Sequence, residues 1–383
     1  MKIYMKRKTV YVWLALWLAL YAAAAEKTEK SDWPQFKLGG LLRFNYNYSD
    51  WKEGSRKRGG DFGYDLFKLD LKGSYKRFLL AVDYRFYAKA FGGAMLKSGW
   101  IGYQFDPRRQ LQIGLTGVPF GIQPYGAHNY FFQISYYVGL EDDSDMGVKY
   151  LYKGDRWEYA LAFFKNSDEE LFGSDTETSA DRYAYDIAGR NKEVNQFNGQ
   201  LFYKWGKEVR QKIGASAEWG MLYNLDTRKN GTHFAFALHH ELYWRGLSLK
   251  TQVATYAMYP KDAPGQNRDT VRMAAYGDVY SVAAKANIYS IGVGYTIPIG
   301  KGILKSIQFY NDFGWLQKWK KDFRDSFQNV TGCLIVAGPV LTYIDYALGK
   351  HQAWLGPDWN GFGAGKGSNS WHARLNVNIG YYF

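Results

Sequence analysis

The 383-residue chain has a single cysteine, Cys333. One thiol excludes a disulfide-stapled scaffold. Past residue 25 there is no apolar run of the ~18–20 residues that a membrane-spanning helix needs, which excludes a helical membrane bundle. Aromatic residues are not scarce: they make up 19% of the chain, and a chain so rich in them can bury a core rather than stay disordered. What is left is a contradiction. The chain is 46% apolar, yet its mean hydropathy is −0.41 and its formal net charge is +13.

The first 25 residues account for part of this. Lys2, Lys6, Arg7 and Lys8 precede an apolar stretch, Val10 to Ala22, and Ala23-Ala24-Ala25 offers small residues for cleavage before Glu26. This is the pattern of a secretory signal peptide, and no cysteine follows it for a lipid anchor. The expected organisation is a leader over 1–25, a lead-in over 26–34 and one structural unit over 35–383. The leader takes four positive charges with it, and Cys333 is expected to have no intrachain partner.

Beyond the leader the dominant period is two. Trp371, Ala373, Leu375, Val377, Ile379, Tyr381 and Phe383 share one parity, with His372, Arg374, Asn376 and Asn378 on the other. Phe36, Leu38, Leu42, Phe44, Tyr46 and Tyr48 alternate in the same way with Lys37, Arg43, Asn45 and Asn47. Such alternation makes a strand with one oily and one polar face. About ten alternating residues per segment, repeated, predicts an all-β transmembrane antiparallel barrel. A soluble sandwich would show the same alternation in any one strand, so the connections decide.

Strands are predicted near 35–48, 62–75, 77–88, 96–105, 110–118, 146–153, 156–165, 196–205, 210–223, 233–244, 247–258, 281–297, 303–315, 328–337, 340–348 and 370–383. Short links alternate with long ones, the long ones near 49–61, 89–95, 119–145, 166–195, 224–232, 259–280, 316–327 and 349–369. Tight turns on one rim and long loops on the other predict short periplasmic turns and long extracellular loops. Parity is ambiguous over 96–105, and 281–297 is long for one strand. A barrel of about sixteen strands is wide enough for an aqueous channel. Tyr46, Tyr48, Tyr84, Phe86, Trp157, Trp219, Tyr223, Trp244, Trp371 and Tyr381 are candidates for the aromatic girdles at the membrane surfaces.

The terminal run from Trp371 to Phe383 resembles that of outer-membrane porins, whose last aromatic residue, here Phe383, is read by the barrel-assembly machinery. The segment Ile113-Gly114-Leu115-Thr116-Gly117-Val118-Pro119-Phe120-Gly121 looks like the end of the fifth strand in the phosphate-selective porin O and P family, and Ile307 to Asp312 is similar to that broad family. The resemblance implies a bacterial outer-membrane homotrimer of sixteen-stranded barrels whose third loop folds inward as a constriction; Arg56-Lys57-Arg58 in the first outer loop reads as solvated, with contact to anionic lipopolysaccharide as the alternative. The resemblance also implies lysines at that constriction. The sequence departs here, since residues 110–148 contain no Lys or Arg. The expected constriction loop, 119–145, carries Glu141, Asp142, Asp143 and Asp145 with Tyr125, Tyr130, Phe131, Phe132, Tyr136 and Tyr137.

The wall leans basic. Inward parity gives Lys37, Arg43, Lys68, Lys72, Arg85, Lys149, Lys153, Lys204, Lys212, Lys250 and Arg374 against Asp70, Asp83, Glu158, Glu218, Glu241, Asp312 and Asp345. A cationic lumen concentrates anions, and rings of Lys or Arg favour their passage. The expectation is a passive channel for small hydrophilic solutes, anionic or neutral, with a weak anion preference and phosphate among its candidates. The aromatic loop keeps a saccharide or organic-acid porin open as an alternative, and a sealed lumen would make the barrel structural or adhesive.

No enzyme, cofactor, metal site or nucleic-acid partner is expected. Ser370 and His372 share an inward face near a rim, without the outward pairing used by barrel phospholipases. His239 and His240 point to opposite faces and cannot chelate one ion together. The acidic stretch Asp168 to Asp181 reads as solvated loop, with cation or subunit binding as the alternative. Residues 361–367 are glycine-rich but lack the spacing of a phosphate-binding loop.

Overall fold

A computed structural model describes residues 33–168, 173 and 175–383. The expected leader and residues 26–32 of the lead-in lie outside the described residues. In chain order the strands are β1 (Gln35–Ser49), β2 (Asp61–Tyr75), β3 (Phe78–Phe86), β4 (Ala94–Asp106), β5 (Arg109–Gly117), β6 (Ser144–Lys153), β7 (Trp157–Asn166), β8 (Asp186–Ile187), β9 (Asn191–Trp205) and β10 (Arg210–Asn224). They continue as β11 (Asn230–Trp244), β12 (Leu247–Tyr259), β13 (Thr270–Ala275), β14 (Asp278–Ala283), β15 (Lys285–Lys301), β16 (Leu304–Lys318), β17 (Ser326–Ala337), β18 (Val340–Lys350) and β19 (His372–Tyr382). Sixteen of them close into one antiparallel barrel, while β8, β13 and β14 form a separate small sheet. A short helix, α1 (Glu53–Arg58), follows β1.

The alternation in sequence becomes two faces. On β11, Phe234, Phe236 and Leu238 are exposed, while His233, Ala235, Ala237, His239 and Glu241 are buried. Around the barrel, Ile101 at 63% exposure, Ile113, Leu161, Leu201, Ile213, Val253, Phe309 and Tyr381 continue the outward apolar belt. Exposed apolar residues in a closed ring are what a hydrocarbon surround selects, since closure leaves no strand edge unpaired in lipid. Cys333 is free, as expected.

Among several irregularities of the ladder, two bear on the predicted inward set. Between Arg43 and Phe44 the register with β2 skips from Leu66 to Tyr64, so Asp65 is the extra residue of a bulge. Between Asp83 and Tyr84 the register with β4 skips from Ser98 to Leu96, which makes Lys97 the extra one. A bulge shifts side-chain phase by one position, which resolves the ambiguous parity over 96–105. The long 281–297 segment divides: its start belongs to β14 in the small sheet and its remainder to β15.

The ends of the chain form the seam. β1 pairs with β19 from Leu41↔Tyr382 to Ser49↔Arg374. Gly40 N–H donates to the Phe383 carbonyl at 2.9 Å, and Phe383 N–H donates back to Gly40 at 3.1 Å. A Cβ on Gly40 would lie 2.3 Å from the Lys68 carbonyl oxygen and 2.7 Å from the Phe383 ring. The terminal aromatic therefore seats on a glycine at the closing joint.

The connections sort by rim, with two residues between β2 and β3 or β11 and β12 against 118–143, 167–190, 260–284 and 351–371 on the other rim. The link between β10 and β11 is only 225–229, because both strands extend further than the alternation suggested. The four long loops converge on one apolar core. It joins Ile134, Tyr137 and Leu140 with Tyr185 and Ile187, Met273 and Tyr280, and Phe362. Inward wall residues of the long-loop half, including Ala235, Ala237, Ala254, Ala286, Ile288 and Leu316, belong to the same core.

Candidate functional site

The segment 118–143 leaves β5 and runs inside the barrel, held by polar side chains of opposite walls. Ser216 on β10 accepts from Gly121 N–H at 3.1 Å, and Gln200 on β9 donates to the Gly121 carbonyl at 2.8 Å. Gln252 on β12 accepts from Ile122 N–H at 3.1 Å. Lys250 donates to the carbonyls of Tyr125 and Ala127 at 2.8 and 3.1 Å. Gln328 on β17 donates to the Phe132 carbonyl at 2.8 Å. These groups satisfy backbone polar atoms that would otherwise be buried without partners.

The tightest anchor is Asp312 on β16. Its carboxylate accepts from His128 N–H at 2.8 Å, from His128 Nδ1 at 2.8 Å, and from the backbone and side-chain amides of Asn129 at 3.0 and 2.7 Å. The other ring nitrogen, Nε2, lies 2.8 Å from Ser248 Oγ. Ser248, His128 and Asp312 thus have the connectivity of a nucleophile triad. Here it acts as a clamp: Ser248 is 5% exposed and Asp312 1%, and three further donors of the loop occupy the carboxylate. Two glycines of β15 make room for it. A Cβ on Gly292 would fall 2.2 Å from Asp312 Oδ1, and one on Gly294 would fall 2.9 Å from the His128 ring.

The expected loop residues separate into different roles. Tyr130 O–H donates to Asp65 and accepts from Asn45, while the Arg43 guanidinium lies 5.0 Å over its ring. Phe131 is buried with Val330, Ala347 and Leu355. Phe132 stacks on Tyr136 at 4.3 Å and meets Tyr125 edge-on at 5.3 Å. Asp142 pairs with Lys97 at 2.6 Å, and Asp143 and Asp145 are buried beside Asp186. Most of these rings pack against loop or wall, and Tyr125 remains exposed.

The basic wall residues are largely matched by acids. Arg43 pairs with Asp65. Lys68 lies 2.7 Å from Asp70 and 3.6 Å from Asp83, which Arg85 also meets at 3.0 Å. Lys204 and Lys212 share Glu158 at 2.8 and 3.1 Å. Lys149 is buried with its ammonium on the Gly117 carbonyl. Arg374 reaches Ser49 and lies 5.2 Å over the Trp51 ring. Lys37 and Lys72 face one another across β1 and β2 near the short-turn rim, both exposed, and Lys153 is exposed as well. Asp65 and Lys97 were absent from the inward set because each occupies a bulge. Arg182 was missed because it lies in a loop: it is 0% exposed and pairs with Asp168 and Asp186.

Glu141 closes the loop on itself, accepting from Gly126 N–H at 2.8 Å and Ser135 O–H at 2.7 Å. Burial raises its carboxyl to about 7, with Asp142 adding to the rise and the two hydrogen bonds opposing it. A raised acid holds its proton better in the folded loop than in the unfolded chain. Its stabilising contribution is full below about 4.5, the ordinary value, and is lost as pH rises through about 7. Loop order is expected to weaken as pH rises from about 4.5 to about 7, read as a pH-dependent conductance or protease sensitivity. Glu141→Gln should flatten that dependence, and an unchanged profile in the variant would assign it to another group.

By sequence the chain matches no protein-family model and no curated protein. Its fold matches solved outer-membrane barrels at low identity. The anion-selective porin from Comamonas acidovorans is 11% identical with a TM-score of 0.59, covering 92% of this chain and 100% of that one. The outer membrane channel DcaP of Acinetobacter baumannii is 11% identical with a TM-score of 0.58, over 93% and 99%. OmpT of Vibrio cholerae, in its trimer form, is 13% identical with a TM-score of 0.57, over 92% and 100%. At such identities what is shared is the barrel fold.

Proposed function

We propose that this bacterial outer-membrane barrel is a passive diffusion channel for small hydrophilic solutes, exported by its leader and assembled as a homotrimer among lipopolysaccharide. The observation that carries the proposal is the division of the wall. A closed sheet presents apolar residues outward, while the short-turn half of its inner face carries Lys68, Asp70, Asp83, Glu158, Lys204, Lys212 and Glu241. Lys68, Asp70, Glu158, Lys204 and Lys212 are partly exposed to the interior, and charged side chains inside a barrel in lipid are favoured where water reaches them. The solved neighbours include proteins described as a channel and as an anion-selective porin, and one described in a trimer form.

Any anion preference is weak in this reading. The lysines nearest the inward loop, Lys97, Lys149 and Lys250, are engaged by Asp142 or by loop and strand carbonyls, which leaves no free ammonium there for phosphate. Lys37 and Lys72 carry the remaining positive field at the short-turn rim. In planar bilayers the protein should conduct, and a salt gradient should give a reversal potential of the anion-selective sign. Lys37→Glu with Lys72→Glu should move that potential toward cations. A cation-selective wild type would defeat the anion reading, and absence of conductance would defeat the channel. The latter would favour a structural or adhesive barrel, a reading supported by the apolar core that the four long loops build across the mouth.

A further inference from the structure

Where the inward loop returns to the wall at β6, it meets the loop between β7 and β9. The carboxylates of Asp143, Asp145 and Asp186 are buried there, and one oxygen of each lies within 4.8 Å of the others. Glu193, Glu218 and His233 border Asp186 around a small adjoining cavity. The cavity has room for about one water-sized particle. Arg182 answers Asp168 and Asp186, and His233 Nδ1 lies 3.5 Å from Glu218.

Asp145 is the informative member. It is 1% exposed. Its Oδ2 accepts from Gln196 at 3.3 Å, whereas its Oδ1 is buried with no hydrogen-bond donor. A buried carboxylate oxygen without a donor, set among other carboxylates, is strongly disfavoured unless a proton or a cation joins it.

We propose that Asp143, Asp145 and Asp186 bind a hard divalent cation of the Ca²⁺ class, tying the return of the inward loop to the loop between β7 and β9. The ligands are all oxygen, as such cations require. Ca²⁺ accepts irregular, flexible carboxylate geometry such as ligands from separate chain segments provide, whereas Mg²⁺ demands a near-ideal octahedron and keeps most of its waters. Zinc is a poorer match to a carboxylate set that lacks sulfur. Sequence spacing does not reveal this group, because its members come from a loop end, a strand and a second loop.

The test uses the full chain refolded in detergent free of lipopolysaccharide, whose own phosphates bind Ca²⁺. After treatment with a chelator, equilibrium dialysis against radioactive Ca²⁺ should give about one ion per chain, as expected for a single carboxylate site. The thermal midpoint should rise with added Ca²⁺ and fall back with chelator. Asp145→Asn should weaken binding by about tenfold or more, the scale on which ligand charge tunes such sites. Asp145→Asn is preferred to a change at Asp186, which would also strip Arg182 of a partner. Wild type that binds no Ca²⁺, or a folded Asp145→Asn chain that binds it unchanged, would overturn the proposal. A midpoint that responds to acid and ignores Ca²⁺ would overturn it too, since shared protons would then balance the carboxylates. The wild-type stoichiometry decides the matter even if the variant does not fold.

Discussion

Asp312→Ala is expected to release the inward loop from the wall. The change removes the acceptor of four hydrogen bonds from His128 and Asn129 and leaves the imidazole facing Ser248 alone. Loss of one partner of a buried charged network costs about 3–5 kcal/mol. At ~1.4 kcal/mol per factor of ten, docking of the loop would weaken by about two to four orders of magnitude. Single-channel conductance should rise and become noisier, and proteases should cut within 118–143, while the folded barrel persists. Ser248→Ala removes its contact with the imidazole and a longer hydrogen bond to the Gly294 carbonyl at 3.3 Å, leaves the carboxylate clamp in place, and should cost about 1–2 kcal/mol, with little change in the trace. If Asp312→Ala conducts like wild type, the clamp does not control the loop.

Gly40→Val should prevent closure altogether. Its Cβ would sit 2.3 Å from the Lys68 carbonyl oxygen, a backbone atom that cannot swing aside, and 2.7 Å from the Phe383 ring. If β1 and β19 separate, both edges present unpaired N–H and C=O groups to lipid, at several kcal/mol for each such group. The expected result is loss of the heat-modifiable folded band on electrophoresis and of the strand signal in circular dichroism after refolding. Gly63 on β2 supplies the control, because nothing lies within 4 Å of a Cβ built there. Gly63→Val should fold normally. A Gly40→Val chain that folds with wild-type yield would show that the seam tolerates displacement of the terminal aromatic.

The barrel was legible in the sequence because each strand carries its own signal: alternation is local, and so are the turn residues that end it. Faces were legible until a bulge intervened. Asp65 and Lys97 each add one residue to a strand, and one residue exchanges inside for outside. The interior was largely hidden. His128 and Asp312 are 184 positions apart, and nothing near either announces the other. Charge counting suffered likewise, since Arg43 meets Asp65 and Lys97 meets Asp142 only after folding. The alanines at 235, 237, 254 and 286 carry a different meaning in the fold as well. Their inward parity fits a barrel lumen, but their small size is matched to loops that pack onto them rather than to water.

Those alanines bear on attempts to widen the protein by trimming loops. Stripping all four long loops, 118–143, 167–190, 260–284 and 351–371, would leave Ala235, Ala237, Ala254, Ala286, Ile288 and Leu316 as the bare lining of a throat. Such a collar expels water and can block ions by dewetting even where it is wide enough to admit them. Removing loops alone would therefore produce a dry constriction at the mouth, and a shortened barrel would conduct freely only if the collar were rebuilt with polar side chains at the same time.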